Sequence, residues 1–188
     1  LASITVGIIF RFWKLNVKPS SITATSYKTS NDNISMSNLG GIIGNSITNS
    51  INTILLIGGF VVLFSVIISI LQNSQLLNVL TDLLSPIFAF LHIPEKFATG
   101  FISGILELTN GLNIICNLPE KQLSYNIILA SFLLGLGGLS VLLQVWSTIA
   151  KTDLSIKPYI IGKLLHACIS AMYTFLFLKS FIIFNFDF

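Results

Sequence analysis

Two long apolar runs, Thr53 to Leu71 and Pro158 to Phe184, constrain this chain more than any other feature. About 20 residues of helix cross the ~30 Å of hydrocarbon in a bilayer, and both runs are of that order. Inside lipid every backbone N–H and C=O needs an internal partner, which only helices and closed barrels supply. A barrel would show segments of about 10 residues alternating apolar with polar, whereas these runs stay apolar throughout. The expected fold is therefore all-α and integral to the membrane, a bundle of transmembrane helices. Charge agrees, since 9% of the residues are charged against about 25% in an ordinary soluble domain.

The formal charge of +3 comes mostly from Arg11, Lys14, Lys18 and Lys28, set against Asp32. These residues carry a topology signal rather than a nucleic-acid surface, which would need clustered basic residues with interleaved aromatics. Nucleic acid is excluded as a partner, and the lipid bilayer is required as one. Cys116 and Cys168 stand alone in apolar sequence with no Cys or His at ligand spacing, so the expectation is two buried small hydrophobes, with no disulfide and no metal.

The chain begins at Leu1 inside an apolar run that ends at Trp13, so residues 1–13 read as the end of a transmembrane helix from an upstream half. Residues 14–46, rich in Ser, Thr, Asn and Lys, read as a polar cytoplasmic connector. Residues 47–184 form the membrane domain and 185–188 a short tail. Asn45, Asn49 and Asn52/Thr53 recur at helical spacing and lead into a helix that contains Gly58 and Gly59, small residues expected to admit a neighbouring backbone. Leu76 to Leu91 places apolar residues at 76, 77, 80, 83, 84, 87 and 91, with Thr81 and Asp82 off the stripe. It reads as an amphipathic helix at the interface, kinked or divided at Pro86.

Phe97 to Asn117 either crosses the membrane or enters and returns as a re-entrant hairpin. With residues 14–46 inside, the hairpin leaves six basic residues inside (Arg11, Lys14, Lys18, Lys28, Lys151, Lys157) and two outside (Lys96, Lys121). A crossing gives five against three, because Lys121 moves in while Lys151 and Lys157 move out. The hairpin satisfies the positive-inside bias better. Thr109, Asn110 and Gly111 are expected to form its turn, since Asn-Gly tolerates positive φ. Leu123 to Ala150 is interrupted by Gly135, Gly137, Gly138 and Ser140, the pattern of a helix broken near its middle. In the last helix, which Pro158 opens, Lys163, His166, Ser170 and Tyr173/Thr174 follow at steps of three and four. They form a polar face expected to turn into the bundle, with Lys163 free to snorkel toward the cytoplasmic interface.

Glu107 stands out within this frame. An ionisable side chain at membrane depth costs roughly 2.5 to 3.5 kcal/mol on insertion scales, so a carboxylate retained there reads as functional. Broken half-helices expose N–H groups at their N-termini and C=O groups at their C-termini, which can hold anions and cations respectively. The candidate ligand-binding set is Glu107, Thr109, Asn110, Gly111, Gly137, Gly138, Ser140, Gln144 and His166. In this reading Glu107 takes a proton or a sodium ion, or accepts hydrogen bonds from a ligand, while Thr109, Asn110, Ser140 and Gln144 offer neutral donors and acceptors. No nucleophile-base pair or metal-ligand cluster is visible, which argues against an enzyme and against a resident cofactor.

The motifs GILELTNG, ASFLLGLGGLSVLLQV and KPYIIGKLLHACISA together resemble the sporulation integral membrane protein family of YlbJ type, over about Ile47 to Ala171. Members of that family carry nucleoside-recognition (gate) domains similar in organisation to concentrative nucleoside transporters, with paired repeats, re-entrant hairpins and interrupted helices. The resemblance implies one repeat of a nucleoside-transporter-like fold, a bacterial cell membrane (the forespore membrane), and movement of a small anion such as dipicolinic acid. It places the hairpin-tip signature on Glu107, Thr109, Asn110 and Gly111, the broken-span signature on Gly137, Gly138, Ser140 and Gln144, and the KP and LLH elements on Lys157, Pro158 and His166. Leu142 and Leu143 depart from the family, where a polar or histidine residue precedes the glutamine. The implied partners are an anionic small molecule and the upstream half of the same protein, with a homo-oligomer left open. The competing function is a membrane scaffold or assembly factor for other sporulation membrane proteins.

Overall fold

The computed structural model describes residues 1–12, 36–118, 122–150 and 154–183, and these are helical apart from short connections. In chain order the helices are α1 (Ala2–Phe12), α2 (Met36–Asn73), α3 (Leu76–Phe90), α4 (Ala98–Leu106), α5 (Leu108–Cys116), α6 (Leu123–Leu136), α7 (Gly138–Ile149) and α8 (Lys157–Ile183), with a 3-10 turn at Glu95–Phe97. Among the described residues three segments are long and apolar enough to cross a bilayer: Leu39–Asn73, Leu123–Ile149 and Lys157–Ser180. The expectation of an all-α membrane bundle holds.

With 38 residues, α2 is about 57 Å long at 1.5 Å per residue, well beyond the hydrocarbon thickness. It starts at Met36, inside the stretch expected to be connector, whose earlier part lies outside the described residues. Its hydroxyls would be costly in lipid, but Ser46, Thr48, Ser50 and Thr53 each donate to the carbonyl four residues back, at 2.8 to 3.0 Å. Gly58 and Gly59 correct an expectation. A Cβ on either would meet nothing within 4 Å, so no neighbouring backbone of the described chain packs on them. Gly58→Ala and Gly59→Ala are therefore expected to be neutral, or to stabilise this chain by up to about 1 kcal/mol through helix propensity, as read by denaturant titration in micelles.

The amphipathic α3 is continuous through Pro86, which lies inside the helix rather than dividing it. The face it buries runs through Leu77 and Phe88, with Thr81 and Leu84 partly covered between them, while Leu76, Leu83, Ile87 and Leu91 are exposed. That face takes only part of the apolar stripe of the sequence, because an apolar side chain of a membrane protein can face lipid as well as the core. For the same reason Cys116 and Cys168, expected inside, are exposed and free. The helix ends in a Schellman-type cap: Ile93 N–H donates to Phe88 O at 2.9 Å and His92 N–H to Ala89 O at 3.1 Å, with His92 in the left-handed region at φ 55°.

One core joins α3, α4, α5 and α6 through Phe88, Phe97, Ala98, Ile115, Leu129 and Leu133. Phe101 links two of its walls, edge-on to Phe88 at 5.5 Å and tilted against Phe132 at 5.4 Å. The α6–α8 contact is drawn tight by Gly135, where an added Cβ would lie 2.7 Å from Ala167 Cα. The polar face of α8 turns inward as expected. Thr174 donates to Ser131 Oγ at 2.8 Å, and the Tyr173 hydroxyl meets Thr5 Oγ1 of α1 at 3.3 Å.

Candidate functional site

Two nine-residue helices, α4 and α5, are separated by the single residue Glu107, whose backbone is extended (φ −144°, ψ 122°). Each is about 13 Å long, less than half a bilayer crossing. They pack against each other through Gly104 with Gly111 and Gly100 with Ile115; positions that advance along one helix retreat along the other, so the pair is an antiparallel hairpin. Contact is backbone to backbone: a Cβ at Gly111 would overlap Gly104 Cα and N and lie 2.7 Å from Gly100 O.

The turn therefore differs from the expected one. Thr109, Asn110 and Gly111 lie in the first turn of α5, and Gly111 is needed for its missing side chain rather than for positive φ. The reversal is at Glu107, and its carboxylate, 3% exposed, caps the helix that follows. Oε1 accepts from Thr109 N–H at 3.0 Å, while Oε2 accepts from Asn110 N–H at 2.8 Å and from Thr109 Oγ1 at 2.6 Å. Three donors on an acidic side chain at a helix N-terminus satisfy orphan N–H groups and complement the helix dipole. Asn110 Nδ2 donates to Ser65 Oγ of α2 at 2.9 Å, which fastens the hairpin tip to the long helix.

The second break lies directly against the first. α6 ends at Leu136, Gly137 takes φ 81° and Gly138 φ 75°, and α7 resumes at Gly138. A Cβ on Gly138 would come within 3.1 Å of Gly104 O, 3.4 Å of Ile105 O and 3.4 Å of Leu108 N, the residues that flank Glu107. Two glycines in left-handed geometry, one also in close approach, are thus required where the helix is interrupted. Ser140, 2% exposed, accepts from Gln144 Nε2 at 3.2 Å. Ser103 Oγ, one turn before Glu107, is buried with no hydrogen-bond partner among the described residues.

Of the nine candidate residues, Glu107, Thr109, Asn110, Gly111, Gly137, Gly138 and Ser140 gather on the hairpin and the facing break, and Gln144 extends from Ser140. His166 works on the other side of the interrupted helix. Its Nδ1 lies 3.3 Å from Gly135 O, a carbonyl near the end of α6, and its Nε2 lies 3.2 Å from Ser3 Oγ of α1. A carbonyl only accepts, so Nδ1 is the donor in the first contact, and a serine hydroxyl can complete the second in either direction. Among the described residues no group of three His, Cys, Asp or Glu could hold a metal. Reading the sequence missed Ser65, Gly104 and Ser103. For Ser65 the available signal was a hydroxyl, one of two with Ser69, in the otherwise apolar run FVVLFSVIISI; for Gly104 it was the seven-residue interval to Gly111.

The N-termini of the half-helices are not equivalent. That of α5 is already taken by Glu107, so its Thr109 and Asn110 N–H groups are not open to a ligand carboxylate. The first turn of α7 has no side-chain cap. What the fold defines is an integral membrane protein of the all-α class in which a short helical hairpin packs against the interruption of a second helix. The family described as nucleoside recognition (Gate) matches residues 54–182, and the chain belongs to it. It is also similar to sporulation integral membrane protein YlbJ of Bacillus subtilis (strain 168), with 33% identity over 141 residues that cover 75% of this chain and 34% of that protein. The chain thus spans about a third of the length of that relative. No solved structure gives a match.

Proposed function

We propose that this chain is one repeat of a transporter-like protein of endospore formation that moves a small polar anion, such as dipicolinic acid, across a forespore membrane. The observation that carries this reading is the apposition of two backbone interruptions around a buried carboxylate, Glu107 at the hairpin and Gly137–Gly138 opposite. Irregular backbone at membrane depth persists only where protein or a wet cavity satisfies it, and transporters place ligand sites at such interruptions. The hairpin helices are too short to cross, so on this reading the pair enters and returns as a re-entrant element. The likeness to a sporulation protein supplies the biological setting, and the nucleoside-recognition family supplies the comparison with transporters. In the whole protein the site is completed by the upstream half, related to this one by an inverted repeat.

Glu107, with three of its roughly four acceptor positions filled, retains one for a sodium ion or a proton. The cargo anion is then held elsewhere along the interruption, which removes the like-charge repulsion that a dicarboxylate beside Glu107 would meet. The test is flux of labelled dipicolinate into proteoliposomes that contain the full-length protein, with and without an inward sodium or proton gradient. Gradient-dependent uptake above that of empty vesicles is the expected result. No flux, together with stoichiometric co-purification of another membrane protein, would instead identify a scaffold.

A further inference from the structure

A second polar cluster lies behind the break, between α1 and α8. A shallow, open cavity of about 430 Å³ is lined there by Ser3, Phe10, Tyr159, Lys163 and His166, among others. Lys163 is the charged group of this cavity. Its Nζ lies 3.5 Å from where a Gly137 Cβ would stand, beside the first turn of α7, and 5.9 Å from the centre of the Tyr159 ring. Among the described residues no carboxylate pairs with it.

Lys163 lies about two turns from the start of α8, where a lysine can carry its ammonium toward the interface, so its charge is within reach of a ligand that enters this groove. The neighbours here do not supply a counter-charge. The His166 ring is engaged at both nitrogens, by Gly135 O and Ser3 Oγ, and so contributes a fixed wall. Phe10 and Tyr159 supply flat apolar surface. Positive charge beside aromatic walls matches one ligand chemistry, a carboxylate or phosphate oxyanion attached to an apolar or aromatic body.

We propose that the α1–α8 cavity binds the oxyanion group of a ligand, with Lys163 as its direct counter-charge. The assignment rests on the transport reading for the identity of the cargo, but not for the existence of the site. It divides the labour at the break, with Glu107 stabilising the hairpin on one side and Lys163 receiving the anion on the other. Two sources share this chemistry, a soluble aromatic dicarboxylate and the phosphate of an anionic lipid headgroup.

Binding to the purified full-length protein separates them. One arm titrates dipicolinate in non-ionic detergent, with uridine as an uncharged control; the other titrates phosphatidylglycerol into nanodiscs of phosphatidylcholine. Lys163→Met is expected to weaken binding of one of the two anions at least tenfold, the usual scale for losing a charged hydrogen bond. Lys163→Arg should keep most of it, and Lys179→Met, which removes a charge from the far end of the same helix, should leave it unchanged. Methionine costs less than lysine in lipid, and an unfolding titration of Lys163→Met beside the wild type separates lost binding from a failure to fold. Dipicolinate binding that depends on Lys163 identifies a cargo site, and phosphatidylglycerol binding that depends on it identifies a lipid site. Wild-type affinity for both anions in Lys163→Met, or no binding of either to the wild type, would overturn the proposal. Lys163-dependent binding without flux would refute transport and leave the site standing. Flux and binding both untouched by the substitution would do the reverse.

Discussion

Gly111→Ala is expected to force the hairpin open, with a loss of about 3 kcal/mol or more in an unfolding titration, at the upper end for overpacked cores. The new methyl would overlap Gly104 Cα and N, and lie 2.7 Å from Gly100 O. These are backbone atoms of α4, which cannot rotate away as a side-chain tip would. Opening the hairpin also displaces the segment that a Cβ on Gly138 would meet at 3.1 Å, at Gly104 O, so the facing break should loosen with it. Gly59→Ala makes the same chemical change on α2, where nothing lies within 4 Å, and serves as the control. Equal stability of the two variants would show that α4 and α5 do not touch through their backbones.

Glu107→Gln should destabilise the protein by about 2 kcal/mol in the absence of any ligand, the scale of a lost charged cap. Glutamine keeps one acceptor oxygen and turns an NH₂ group toward the N–H of Thr109 or Asn110, donors that now sit 3.0 and 2.8 Å from the carboxylate. Thr109→Val removes the 2.6 Å hydroxyl bond to the same group. The two substitutions should be non-additive, with a coupling of about 1 kcal/mol in a double-mutant cycle. A carboxylate that served only to bind an ion would show neither effect. Transport data on Glu107→Gln therefore need this stability measurement beside them, since lost flux alone would not separate cap from ion site.

Both interruptions were legible in the sequence, because a carboxylate and a run of glycines are conspicuous where everything else is apolar. The geometry at each was harder to read. Asn110-Gly111 has the composition of a turn, yet it is helical, and Glu107 reverses the chain because a longer acidic side chain can reach back to cap α5. Gly58 and Gly59 look in sequence much like Gly104 and Gly111, but only the second pair is in contact. Contact depends on what the fold brings opposite, which periodicity along one helix does not encode. The buried face of α3 was misjudged for a related reason. In water an apolar stripe marks the core, whereas in lipid the exposed Leu83 and Ile87 are as apolar as the buried Leu77 and Phe88. The polar face of α8 was read correctly because hydroxyls and imidazole at depth must find partners, and Thr174 and His166 do.

The account depends on residues 98–116 returning to the side from which they entered. Glu95 and Asn117 are exposed at the two ends of the hairpin, so a cysteine at each, in a background with Cys116→Ser and Cys168→Ser, can be labelled by a membrane-impermeant maleimide in oriented vesicles. Modification of both positions from the same face of the membrane is the expected result; modification from opposite faces would mean that the segment crosses, and the account would fail.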